Sequence, residues 1–375
     1  MARKDIGRKP EELDMLLSPS RGLQGGDDDE ASLRNPDMQE RLRKHIDAKL
    51  SNWASTHVGA SSSPEQRKRQ DEELGIILLD LRKLREGITS IRRVDSFARE
   101  VYEASALLSL FASNTPQLAS SLPHLVLALH PALQGPPPPA PSAGLETSLS
   151  ALSISSSSPD PATRAFFLAL HLLHSHLLPA STSSAIPVTP SSASSSSPSL
   201  STFLPTLFSL LSASRLPPPT WKRSTCVHPD PHISLLLSLY TALLRNSYVT
   251  LARLLSHLPP PPPSITSHLS ALHLPTSFNP LASLLLSFLP ALRANRIFPV
   301  VEKAYRFPPD KTGWLARGLL FEFEAAAEGM RETGEGGKEG KAESWEDEVD
   351  EEEEGRRKEA ERRAEEWVIA RKGGA

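Results

Sequence analysis

The chain has 375 residues, enough for one large domain or two small ones, but 35 prolines and a hydrophobic fraction of only 39% assign part of that length to linker rather than core. A net charge of −3 excludes a global electrostatic pull toward nucleic acid or membrane, although acidic residues crowd toward the C-terminus and basic clusters lie elsewhere. The single cysteine, Cys226, excludes a disulfide within the chain. The charged start does not read as a secretory signal, and no apolar run approaches the ~20 residues of a bilayer span, so the expectation is a soluble protein of the cytoplasm and/or nucleus.

Residues 1–34 are polar and are read as a disordered tail. Asn35-Pro36 pairs an N-cap residue with proline at the first helical position, opening a helix over 37–57. Ser63-Pro64 repeats the signal for a helix over 65–86, with Ile77, Leu81 and Leu84 on one face and Gly87 placed to end it. Asp95 can cap the next helix, in which Phe97, Val101, Ala104, Leu108 and Phe111 recur at four-three spacing, the pattern of a buried stripe. Asn114-Thr115-Pro116 breaks it, and residues 117–133 continue as one or two short helices around Pro123.

Further helices are expected at 161–177, 199–214 (bent or split at Pro205), 231–246, 248–257, 265–273 and from Asn279-Pro280 to about Tyr305, with a break at Pro299. Between them, Pro- and Ser-rich inserts near 135–158, 181–197 and 215–230 lack the apolar content to fold. After Phe321 the composition changes to an acidic flexible segment over 326–355. A closing helix over 356–375 follows, with Ala360, Ala364 and Val368 on one face. No stretch of five residues alternates with period two. The fold class predicted is all-α: a stack of helical hairpins over 35–325, solenoid-like in its spacing.

Chemistry-bearing patterns are few. His171, His174 and His176 form the densest histidine cluster, but a helical metal site wants i, i+4 pairs or partners facing them, and His176 points away from the other two. They read as polar edge positions on a packed helix. The glycine-rich 334–341 stretch lacks the spacing of a phosphate loop, and the chain holds no G-x-S-x-G, H-E-x-x-H or G-x-G-x-x-G motif. Cys226 with nearby His228 reads as a spectator in a loop. No catalytic, metal or cofactor-binding residue is assigned. The acidic run around Glu351–Glu354 is either a solvated segment, a mimic of nucleic-acid charge or a shield for a basic face. Arg293, Arg296, Lys303, Arg306, Lys311 and Arg317 are nearly unopposed by acids. They form either a partner or RNA surface or the solvent face of a helix burying Ile297, Val301 and Tyr305.

Two stretches together resemble the PCI superfamily, the helical-repeat-plus-winged-helix subunits of the proteasome lid, the signalosome and initiation factor three. The first is Asp80-Leu-Arg-Lys-Leu-Arg-Glu-Gly-Ile-Thr-Ser90 with Asp95-Ser-Phe-Ala-Arg-Glu-Val-Tyr-Glu103. The second is the run Leu239–Leu255, containing Asn246-Ser-Tyr248-Val-Thr-Leu251, with Ala304-Tyr305 and Leu315-Ala-Arg-Gly-Leu-Leu-Phe321. The likeness is to the branch of the small eighth subunits, initiation factor three subunit k and the GANP-type mRNA-export scaffolds. It implies a helical stack followed by a degenerate winged-helix-like unit, and a non-catalytic scaffold or adaptor whose partners are protein subunits of a larger complex. The alternative it implies is an mRNA export or processing adaptor that contacts RNA through the basic surface.

Overall fold

A computed structural model describes residues 32–57, 64–134, 160–177, 200–222, 225–245, 247–297, 316, 319–321, 324 and 345–373. The described residues are helical apart from one short hairpin. Contacts divide the chain, including the residues expected as one body over 35–325, into two compact units: Met1–Arg164 with Ser267–Leu274, and Ala165–Thr266 with Pro275–Ala375. None of the described helices is long and apolar enough to cross a membrane.

The first unit is built from α1 (Pro36–His57), α2 (Pro64–Ser90), α3 (Ser96–Phe111) and α4 (Thr115–His124), each packed on the one before it in sequence. Asn35 and Asp95 cap as their side chains predict: Asn35 Oδ1 accepts from the Asp37 amide at 2.9 Å, and Asp95 Oδ1 from the Ala98 amide at 2.8 Å. Asn114 Oδ1 caps α4 in the same way through the Gln117 amide. The stripe expected on α3 is present, but the helix is buried on every side from Val101 to Leu110. Phe97 and Phe111 at its two ends are half-exposed. A helix hidden all round is the centre of its unit rather than an outer layer.

Gly87 does not end α2. The helix continues to Ser90, and a Cβ at position 87 would stand 2.7 Å from the carbonyl oxygen of Leu33. Close approach of the segment entering α1, not helix termination, is what glycine permits here. Gly87→Ala therefore sets about 1 kcal/mol of gained helix propensity against about 1–3 kcal/mol of steric displacement. The expected net loss of about 1 kcal/mol is read from denaturant midpoints; a gain would show that the Leu33 backbone yields.

Four helix ends of the described residues turn without glycine. Arg92, Ser113, Arg215 and His273 adopt left-handed backbone, with φ between 49° and 55°. In each case the next amide reaches back five residues, as Arg93 N–H to the Ile88 carbonyl at 3.1 Å and Asn114 N–H to the Ser109 carbonyl at 2.8 Å. This bond satisfies a last-turn carbonyl that would otherwise be orphaned.

Pro123 displaces the backbone register. After Pro123, α4 passes through a π-helical turn, Leu125–Leu129, to a last turn at His130–Ala132, with the His130 amide bonded to the Leu125 carbonyl. Proline supplies no amide hydrogen, and widening the following turn re-pairs the carbonyls.

The second unit contains α5 (Pro161–Leu172, whose first residues belong to the first unit) with its π-turn Leu173–Leu177 and α6 (Leu200–Ala213). A hairpin of β1 (Thr220–Lys222) and β2 (Thr225–Val227) follows, then α7 (Pro231–Leu244), α8 (Tyr248–Ser256) and α9 (Pro263–Ala271, shared with the first unit). It closes with α10 (Pro280–Leu292) with its π-turn Arg293–Ile297, and α11 (Trp345–Gly373). Pro205 lies within α6 without splitting it. Leucines from α5, α7, α8 and α10 meet in one seam around a void of about 10 Å³, too small and too apolar to hold a ligand.

Three expectations change. Residues 215–230 are not a disordered insert: they hold the hairpin, Leu216 is buried, and His228 Nε2 sits 2.8 Å from the Pro217 carbonyl while its Nδ1 accepts from the Asp230 amide. Cys226 is thereby a strand residue paired with Trp221. The closing helix starts at Trp345 and takes in the acidic run expected to be flexible. Carboxylates near a helix N-terminus oppose its positive dipole end, and i, i+4 pairs such as Glu354 with Lys358 and Arg362 with Glu366 continue the support. Ala360 and Ala364 on the expected face are fully buried. The inserts 135–158 and 181–197 lie outside the described residues.

Candidate functional site

Of the basic residues singled out by sequence, Arg293 is placed inside the second unit. Its Nε donates to the Leu319 carbonyl at 2.7 Å, a terminal nitrogen donates to Glu324 Oε2 at 2.7 Å, and its guanidinium stacks 3.6 Å over the Phe321 ring. Burial draws its pKa below the ordinary arginine value, partly countered by Glu324. A guanidinium spent in this way is not offered to a phosphate backbone. The side chain of Arg296, and Lys303, Arg306, Lys311 and Arg317, lie outside the described residues.

The histidine cluster departs from the edge reading at one position. His171 is buried, and the π-turn Leu173–Leu177 brings its ring to 6.3 Å from that of His176, which a regular helix would carry elsewhere. Ser175 Oγ pairs with His171 Nδ1 at 3.2 Å, and the His174 ring lies edge-on to Phe288. Desolvation lowers all three pKa values, that of His171 to about 4 with help from the two neighbouring rings. Among the described residues no three His, Cys, Asp or Glu side chains converge as a metal site requires.

Because the unfolded His171 takes up its proton near pH 6.5 and the folded one near 4, its stability contribution is present above pH 6.5 and lost as pH falls to 4. The loss is on the order of 3 kcal/mol. Melting temperature should fall between pH 7 and 5, and His171→Leu should flatten that slope. An unchanged slope would place the proton uptake elsewhere.

The first unit holds two polar loci. One is closed. Glu103, on buried α3, lies 3.4 Å from His130 Nε2, 3.2 Å from His268 Nδ1 and 3.8 Å from Arg99 Nε. The π-turn after Pro123 is what delivers His130 to it. With Glu103 and His130 each 1% exposed, this is an internal polar contact joining α3, the last turn of α4 and α9.

The other locus is open. A groove of about 620 Å³ runs along α2, bordered by Arg82, Arg85, Glu86 and Thr89 from that helix, Tyr102 from α3, Gln117 and Ser120 from α4, and Arg34 ahead of α1. Arg85 forms its wall and is 5% exposed. Its terminal nitrogens donate to Gln117 Oε1 at 2.6 Å and Ser120 Oγ at 3.0 Å, and its Nε has no partner. The guanidinium also faces Tyr102, 5.6 Å from the ring centre. Desolvation lowers its pKa; arginine remains a cation at neutral pH all the same. Both hydrogen-bond acceptors are neutral, so a buried positive charge stands at the groove without a carboxylate bonded to it.

Sequence reasoning quoted Asp80–Ser90 for its family likeness and missed it as a site. The available signal was three cations, Arg82, Lys83 and Arg85, among the apolar positions of α2, one of them on the buried side of the helix. No family model matches this chain, and comparison with the curated proteins and with the solved structures finds no match.

Proposed function

We propose that the chain is a non-catalytic scaffold or adaptor subunit of a multiprotein complex and that it engages a protein partner through the α2 groove. Helices packed in sequence order offer fixed faces to a partner, the property that helical-repeat proteins exploit. The likeness of Asp80–Ser90 and Asp95–Glu103 to PCI proteins points the same way. Under this reading the helical hairpins form a PCI-like stack, and the segment leading to Phe321 opens a degenerate winged-helix-like unit.

The observation that carries the groove is Arg85: a buried guanidinium with neutral hydrogen-bond partners is costly unless a further group answers its charge. The RNA-adaptor alternative loses Arg293 from its surface.

The test is affinity purification of the full chain from its own cells, beside an Arg34→Glu/Arg82→Glu variant. Both positions are exposed, so the fold should survive reversal. Stoichiometric protein subunits should accompany the wild type, resist nuclease and fall away from the variant. Partners that vanish with nuclease, or persist on the variant, would contradict the groove as the contact.

A further inference from the structure

The groove's remaining hydrogen-bond donors are almost all cationic. Ser90 Oγ donates to the Gly87 carbonyl and Ser120 Oγ to the Gln117 carbonyl. Thr89 Oγ1 donates to the Arg85 carbonyl, which leaves the Tyr102 hydroxyl to donate to Thr89 at 2.8 Å. The hydroxyl protons are therefore committed inside the protein. Arg85 uses only its terminal nitrogens, Arg82 is paired through Nε with Glu86, and among the described residues the Arg34 side chain has no partner. The donors left to a ligand sit mainly on three guanidinium groups, which an anion answers in charge as well as in hydrogen bonds.

Charge sets the valence of that anion. Three arginines against one glutamate leave two positive charges on the lining. A single carboxylate answers half of that; a phosphomonoester, at roughly −1.5 to −2 near neutral pH, answers it in one group. Guanidinium forks fit phosphate oxygens directly. The groove is much larger than a phosphate, so room remains for the segment that bears it, flanked by Tyr102 and Pro116. Glu86 on the same wall opposes a continuous polyanion but tolerates one localised dianion.

We propose that the α2 groove is a phosphate-recognition site, in which Arg85, Arg82 and Arg34 hold the phosphomonoester of a phosphorylated serine or threonine on an extended partner segment. Arg85 supplies the fixed, pre-oriented fork, held by Gln117 and Ser120, and the two exposed arginines close on the outer oxygens. This rests on the groove being a protein-recognition site and adds that recognition depends on modification of the partner.

The experiment is fluorescence polarisation on the full chain with a labelled degenerate peptide pool in three forms, carrying phosphoserine or phosphothreonine, the unmodified hydroxyls, or glutamate. Inorganic phosphate and a short oligouridylate serve as competitors. The phosphorylated pool should bind at least about tenfold more tightly than either other pool, the worth of one charge-assisted contact. Arg85→Lys should weaken it by about tenfold, since a point charge replaces the fork. Because Arg85→Lys can also loosen α2 against α4, Arg34→Gln/Arg82→Gln gives the same readout from exposed positions, its fold checked by circular dichroism.

Equal binding of the glutamate pool would overturn the phosphate assignment while leaving the groove as a protein site. Inorganic phosphate competing as strongly as the peptide would transfer the site to the free ion, and oligouridylate competing more strongly would transfer it to nucleic acid; either overturns the proposal. No binding of any pool overturns it as well, and the partner purification then decides whether the groove reading stands.

Discussion

Val101→Asp should destabilise the first unit by about 3–5 kcal/mol, the cost of placing a carboxylate in a fully buried position. Val101 is 1% exposed, at the start of the stretch of α3 that is buried on all sides. The substituted group can escape only by taking up a proton or by moving the helix. Val101→Ile, which alters volume by one methylene, should cost far less. Thermal melts followed at 222 nm distinguish the two. A melt unchanged by the aspartate would mean that α3 is not the centre of its unit.

Arg293→Ala should remove about 2–4 kcal/mol from the second unit. The substitution strands the Leu319 carbonyl in a buried position, leaves Glu324 without its cation and uncovers the face of Phe321. Glu324 is 21% exposed, and water recovers part of that loss. Arg293→Lys keeps the charge but cannot make both contacts and stack at once, so it should fall between wild type and alanine. The measurement is chemical denaturation of both variants. A stable alanine variant with weakened RNA binding would return Arg293 to the surface role its sequence neighbours suggested.

Those two positions mark what the sequence discloses and what it withholds. The α3 stripe was legible because burial repeats at helical period and Asp95 announces the start. Asn279 announced a helix start in the same way, whereas Asn114, read only as part of a break, caps α4. Arg293 was not legible: a basic residue among other basic residues looks like surface, and only the return of the chain at Leu319 and Glu324 shows that it is enclosed. Gly87 misled for a related reason, because the strand of chain that needs its missing Cβ, at Leu33, lies far away in sequence. The π-turns depend on how prolines and packing share the strain of one helix, which spacing does not report, yet they place His130 against Glu103 and His171 near His176. The α2 groove combines both problems. Its residues come from four segments, and Arg85 is separated from Gln117 and Ser120 by more than thirty residues.

Deletion of residues 334–375, natural as a test of whether the acidic run shields a basic face, is not a neutral truncation. Ala360 and Ala364 are buried and Trp367 stands edge-on to Phe321, 6.4 Å between ring centres. Charge-neutralising substitutions in the acidic run serve that purpose better.

Hydrogen exchange on the purified complex, compared with the free chain, tests the central claim most directly. If a protein partner seats in the α2 groove, amides of residues 82–90 and 117–120 should slow on complex formation, and Arg34→Glu/Arg82→Glu should abolish the change. Protection confined to the second unit, with the groove exchanging as in the free chain, would contradict it.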